Sequence, residues 1–188
     1  MIKKAVICIA VISIALPVSG ISFAVQTEAG IGFFTGEFAG HLDQSGAWPW
    51  TPVLDARIVL YPCGKAGIGV QTGSMAVIHP RSEPIEGIIR YQGITLEYPA
   101  METPFPVILT GGAGFQDPGM LVSPYGSGFW EAGIIACCPL KPSFSLTFHL
   151  FYRSSFFQAV QIDEQYSDWD SNDTLQSLSG AVGLRYSM

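Results

Sequence analysis

The final stretch of this chain constrains its fold more than any other. From Leu178 every second residue suits lipid: Leu178, Gly180, Val182, Leu184, Tyr186 and Met188. Between them stand Ser179, Ala181, Gly183, Arg185 and Ser187. A period of two sends these sets to opposite faces of a strand. An apolar face backed by a small or polar one is the pattern of a transmembrane barrel strand. No further residues follow to cover the edge of this strand, so it is expected to pair with the first strand and close the sheet.

The other end carries an export signal. Lys3 and Lys4 precede an apolar run over residues 5–16, Pro17 and Gly20 break it, and Ser22-Phe23-Ala24 offers small residues for cleavage. This reads as a signal peptide over residues 1–24, cut after Ala24. The alternative, a membrane anchor, is disfavoured because the run falls short of the ~20 residues a helical span needs. Loss of Lys3 and Lys4 with the signal leaves 7 Lys+Arg against 15 Asp+Glu. That balance excludes nucleic acid and anionic surfaces as partners. The mature chain, residues 25–188, suits one domain.

Composition agrees with a barrel. Mean hydropathy is +0.35, and only 13% of residues are charged. A barrel accommodates this by turning apolar side chains toward lipid. Helical periodicity is nearly absent; alternating runs are separated by Pro/Gly/Asp/Ser clusters, as in an all-β meander. Eight strands are expected, near residues 26–40, 51–61, 66–77, 85–98, 106–116, 128–138, 144–153 and 178–188. Strand one carries a parity slip at Phe33-Phe34, read as a bulge. Strand four carries a parity conflict at Gln92-Gly93, read the same way. Segments 62–65, 99–103 and 139–142 are short turns, expected to be periplasmic. Segments 41–50, 78–84, 116–127 and 156–174 are longer, expected to be extracellular.

With these features in place, the chain resembles the small eight-stranded outer-membrane β-barrels of the OmpX, OmpW and OmpA-barrel type, over nearly all of its mature length. The most specific element is a C-terminal assembly signal, matched by Gly183, Tyr186 and Met188. Met188 stands where the family usually has Phe, and Ala181 where a polar residue is common. The resemblance implies an outer-membrane location, a lipid environment, contact with the barrel-assembly machinery during insertion, a monomer, and no cofactor. It implies a structural or surface-interaction role through extracellular loops. A porin-like or OmpW-like channel for small or hydrophobic solutes is the alternative; a lipid-modifying enzyme ranks third. A soluble lipocalin-like barrel is disfavoured, because too few charges remain to coat an exterior.

Several residue groups invite a chemical reading. Asp55, Arg57, Glu131, His149, Arg153 and Arg185 should point into the lumen. Charges in so narrow a space need partners, so an internal ion-pair network is expected, with a small ion path as the alternative. His41, Asp43 and Ser45 include the residue types of an acyl-transfer site, yet they sit close together in a loop with no Gly-x-Ser-x-Gly turn. A polar loop is expected, with no catalytic residue. Asp163, Glu164, Tyr166, Asp168, Trp169, Asp170, Asn172 and Asp173 make the fourth loop acidic and aromatic. Asp168, Asp170 and Asn172 begin like a calcium loop, but the following Gly is absent and Ser179 holds the twelfth position. No metal site is assigned. Trp48, Trp50, Tyr125, Trp130 and Trp169 are expected near the outer rim as girdle residues. Cys63, Cys137 and Cys138 lie toward the periplasmic end. A disulfide from Cys63 is conceivable in an oxidising compartment, but free thiols are expected because the segments stand apart around the barrel.

Overall fold

The structure is a computed structural model that describes residues 21–62, 65–78, 87–101, 104–117, 127–156, 160–162, 165–167 and 174–188. The elements in chain order are β1 (Ser22–Thr35), α1 (Gly36–Ser45), β2 (Trp50–Tyr61), β3 (Gly67–Val77), β4 (Gly87–Met101) and β5 (Val107–Asp117). There follow β6 (Ser127–Lys141), β7 (Phe144–Phe156), the short β8 (Val160–Ile162) and β9 (Gln165–Ser167), and β10 (Thr174–Ser187). Eight strands form one closed antiparallel barrel in the order β1-β10-β7-β6-β5-β4-β3-β2. β8 and β9 pair only with each other.

Closure runs the whole length of the first and last strands, from Ala24 opposite Ser187 to Thr35 opposite Gln176. Phe23 and Met188 exchange both backbone hydrogen bonds at 3.0 Å. Every wall strand thus has two neighbours. Connections at the end where β1 starts, the lower end, span residues 62–66, 102–106 and 142–143. Those at the upper end are longer, spanning 36–49, 78–86, 118–126 and 157–173.

The alternation of each strand sorts its side chains. On β2, Leu54 is 58% exposed, while its neighbours Val53 and Asp55 are buried. On β10, Leu178, Val182 and Leu184 are exposed, and Ser177, Ser179 and Arg185 are buried. Large apolar side chains cover the outside: Ile68, Ile94, Leu96, Leu109, Phe115, Ile134, Phe148 and Leu150. Aromatic contacts mark both rims. Trp48 stacks on Trp50 at 4.6 Å and Trp130 lies 5.5 Å from Tyr152 toward the top. Phe23 and Phe144 flank Tyr186 at the bottom. An apolar band between aromatic girdles is the exterior of a barrel made for a bilayer.

Two expected bulges are absent. β1 keeps its parity through Phe33, exposed, and Phe34, buried, then ends at Thr35. Gly36 takes a positive φ of 72° and turns the chain into α1. The apparent slip is therefore the start of a helix, not an extra strand residue. β4 is continuous from Arg90 opposite Asp117 to Pro99 opposite Ile108. Arg90 and Gln92 stay on the outward face. Register shifts occur instead at Pro99/Met101 and at Pro139/Lys141, where proline has no N–H for the ladder.

α1 replaces the expected loop over residues 41–50. It closes the upper lumen. Phe38 and Leu42, one turn apart, are buried among Phe34, Val53, Met75, Val77, Ile89 and Leu175. The helix stops at Gly46, whose φ of 80° lets its N–H reach the Asp43 and Leu42 carbonyls. Leu42→Ala should lower the unfolding free energy in lipid vesicles by ~2–5 kcal/mol, the range for emptying a packed apolar site. Asp43→Ala on the exposed side of the same helix should change it by less than about 0.5 kcal/mol. Equal effects in urea titrations would show that the helix does not seat in the lumen.

Candidate functional site

Below α1 the lumen turns from apolar to ionic, because the inward positions of six strands, β1, β2, β4, β6, β7 and β10, carry ionisable groups. Arg57 on β2 is the hub. Its Nε donates to Asp55 Oδ1 at 3.1 Å, and its Nη2 lies 3.5 Å from Glu28 Oε1 on β1 and 3.8 Å from Glu131 Oε1 on β6. The Tyr91 hydroxyl on β4 donates to Asp55 at 2.7 Å. Gly73 permits this reach: a Cβ there would collide with the Tyr91 hydroxyl and the Leu54 carbonyl.

Arg153 and Glu131 face each other across β6 and β7. Arg153 donates through Nη2 at 2.5 Å and through Nε at 3.1 Å. Its guanidinium lies 3.4 Å from the Tyr91 ring centre and 4.9 Å from that of Phe129. This is a cation–π seat. His149 Nδ1 is 2.6 Å from Glu28 Oε1, and its Nε2 is 3.4 Å from Thr110.

The lower part is built on Arg185. Its two terminal nitrogens grip Glu97 at 2.7 and 3.2 Å, a forked pairing. Arg185 also donates to Gln26 at 3.0 Å, and Gln26 in turn donates to Glu28 at 2.6 Å. Tyr61 donates to Glu97 and accepts from Arg185. One connected network thus runs from Arg153 beneath α1 to Tyr61 near the lower mouth.

Two of these pairs cross the full lumen. In the strand order β2 lies opposite β6, and β10 lies opposite β4. The Arg57–Glu131 and Arg185–Glu97 pairs join those opposed walls. Both partners of each pair are buried.

All six charged residues expected in the lumen, Asp55, Arg57, Glu131, His149, Arg153 and Arg185, are buried there. The sequence reading omitted Glu28 and Glu97, which supply half of the acidic groups. Parity already held them: with Ala29 and Ile31 outward, Glu28 faces inward, and Leu96 and Tyr98 do the same for Glu97. The same parity turns Gln26, Tyr61 and Tyr91 inward, and only the cross-barrel distances reveal which groups they meet.

The remaining candidates do not join this cluster. His41, Asp43 and Ser45 lie on α1, where Asp43 is exposed; the side chains of His41 and Ser45 lie outside the described residues. Cys137 and Cys138 are free, Cys137 buried in the lumen beside Ile108 and Ile135. Cys63 and Tyr125 lie outside the described residues, as do Asp163, Glu164, Asp168, Trp169, Asp170, Asn172 and Asp173. Tyr166 is described only as part of the β9 backbone.

Barrel closure, strand number and an apolar exterior around a polar lumen bear comparison with solved structures. Neisserial surface protein A superposes with a TM-score of 0.56 at 12% identity, over 87% of this chain and 96% of that one. The fold is that of an eight-stranded outer-membrane β-barrel. A major outer membrane protein from Thermus thermophilus gives a TM-score of 0.48 at 14% identity, covering 89% of this chain and 99% of that one. Ail of Yersinia pestis gives 0.45 at 10% identity, covering 89% and 98%. No family model and no curated protein matches the sequence.

Removing one partner of a buried pair strands the other, at a cost of about 3–5 kcal/mol. Glu97→Ala and Arg185→Ala should each show a loss of that order in urea titrations of the vesicle-inserted protein. The double variant should lose clearly less than the two losses combined. Strict additivity would mean that the two side chains do not interact.

Proposed function

We propose that this protein is an integral outer-membrane barrel with a structural or surface-interaction role, presenting its upper, extracellular connections outside the cell. The observation that carries this reading is the filled lumen. Ion pairs bridge the opposed walls, and α1 seats on an apolar layer above them. A solute path along the axis would have to break both diametric pairs and unseat the helix, which tells against the channel alternative. The role has no enzymatic component, and function rests with the connections at the upper rim, where an extracellular ligand would bind.

In this reading the chain is a monomer surrounded by outer-membrane lipid. Gly183, Tyr186 and Met188 serve as the signal read by the assembly machinery. Gly183 also has a local reason to be small: a Cβ there would run into the Thr27 carbonyl and Glu28 on β1. Residues 1–24 act as the export signal. Cleavage after Ala24 would release Ser22, Phe23 and Ala24, which pair with β2 at Tyr61, Leu60 and Val59. β1 would then begin at Val25.

Three measurements test the proposal. Protein from isolated outer membranes should migrate as a compact band when unboiled and shift on boiling. The same material in a planar bilayer should show no steady unitary conductance. A stable open conductance would overturn the closed-lumen reading, and a soluble periplasmic protein without a heat shift would overturn the membrane reading. The intact mass of the mature chain should correspond to a start at Val25. A start at or before Ser22 would keep the first β1 residues in the wall and reject cleavage after Ala24.

A further inference from the structure

Residues 22–24 hold two places in this chain. They end the export signal in the reading above, and they begin β1. Phe23 turns its backbone N–H and C=O to β10, where both bond to Met188 at 3.0 Å. In an antiparallel strand the neighbours of such a residue turn theirs the other way, so Ser22 and Ala24 address Tyr61 and Val59 of β2. Ala24 is buried with Val59 and Tyr61 on the lumen side. The Phe23 ring lies on the opposite face, 5.9 Å from that of Tyr186, with Leu60 as its cross-strand partner. Ser22, Phe23 and Ala24 thus fill a site walled by β10 along one edge and β2 along the other.

Cleavage after Ala24 frees that site. β1 then starts at Val25, paired with Tyr186 and Ile58. Below it, Ser187 and Met188 of β10 and Val59, Leu60 and Tyr61 of β2 border a slot one strand wide. Strands stand about 4.8 Å apart, so edges roughly 9–10 Å from each other admit one extended chain that bonds to both. The pairing above the slot, from Val25 to Thr35, holds the edges at that spacing. The slot opens at the lower rim, where a peptide reaches it from water on the periplasmic side. Cleavage also leaves a new α-ammonium on Val25, at the upper end of the slot. β1 runs upward from the rim. A chain that lies in the track of residues 22–24, in the same direction, therefore sets its C-terminus against that ammonium.

We propose that this slot binds the free C-terminus of an extended polypeptide, with an aromatic residue next to last and a small residue last. The inference rests on cleavage after Ala24. Strand addition supplies main-chain bonds, and the pockets for alternate side chains supply selectivity. The Phe23 position takes the aromatic residue against Tyr186. The Ala24 position, against Val59 and Tyr61, takes the small one. The terminal carboxylate pairs with the Val25 ammonium, which selects a chain end over an internal segment. A chain of the opposite direction would set its own N-terminal end against that ammonium and lose the antiparallel ladder on both edges.

The test uses mature protein from outer membranes, transferred to phosphatidylcholine nanodiscs, and the peptide acetyl-Gly-Ser-Phe-Ala as probe. Calorimetric titration should show saturable binding of the free acid. The C-terminal amide should bind about tenfold more weakly, the loss expected of a charge-assisted hydrogen bond. Acetyl-Gly-Ser-Asp-Ala should not bind. A variant chain that starts at Ser22 fills the slot itself and should show no saturable binding of the probe. The unboiled compact band of both chains reports that each barrel is closed. No binding to the chain that starts at Val25, equal binding to the two chains, or equal binding of acid and amide would each overturn the proposal. An intact mass that starts at or before Ser22 would instead overturn the cleavage on which the slot depends.

Discussion

The pairing of β1 with β10 is the constraint from which the rest of this structure follows. In hydrocarbon no water is present to satisfy a free strand edge, so a sheet there must close on itself. Eight strands close with a lumen barely wide enough for the side chains that point into it. The sorting of every other residue comes from that closure. Positions outside must suit lipid, and positions inside must fill a tube without leaving a polar group stranded. The protein inverts the arrangement of a soluble domain: its charged residues form the core, and its Leu, Ile and Phe residues form the coat.

Inside the tube the chain uses two different fillings. The upper half holds an apolar cluster completed by Phe38 and Leu42 of α1, with small polar side chains such as Thr51, Ser155 and Ser177 buried at the same end. The lower half is ionic, with Arg57, Arg153 and Arg185 each engaging acidic groups from other strands. Tyr91, Phe129 and Phe151 join the two layers, because the Arg153 guanidinium packs over their rings while its nitrogens reach down to Glu131. Burying charge in this way is a poor source of net stability compared with apolar packing. Its benefit lies in register: a strand slipped by one residue would place Arg57 or Glu131 in lipid and a leucine in the lumen.

Much of this was legible from residue parity. The outward and inward sets of β2, β5, β6, β7 and β10 follow from alternation alone, and so do six members of the lumen network. Glu28 and Glu97 were equally determined, through their outward neighbours. α1 was not read, because a ten-residue helix that directly follows a strand offers few turns of periodicity. Its signals were present in the four-residue spacing of Phe34, Phe38 and Leu42, bracketed by Gly36 and Gly46. They were absorbed into a supposed strand whose parity then had to slip. The pairing partners across the lumen were beyond sequence reasoning for a different reason. Strands opposite one another in a barrel are separated by arbitrary lengths of chain, so nothing local relates Arg185 to Glu97.

Gln92 shows how a wrong premise conceals information. Reading every outward position as apolar forces a bulge at Gln92-Gly93, yet the strand runs straight through and presents Gln92 and Arg90 to the outside. Among the described residues these outward polar groups gather on β3, β4 and the top of β5, and Thr27 on β1 is a further exposed polar residue. On β7 and β10 the outward rows stay apolar up to Tyr152 and Leu178. A barrel whose polar outward residues gather on one side is not a uniform cylinder in the membrane plane. That asymmetry gives one face of the wall a chemistry of its own, separate from the sealed lumen and from the loops above it.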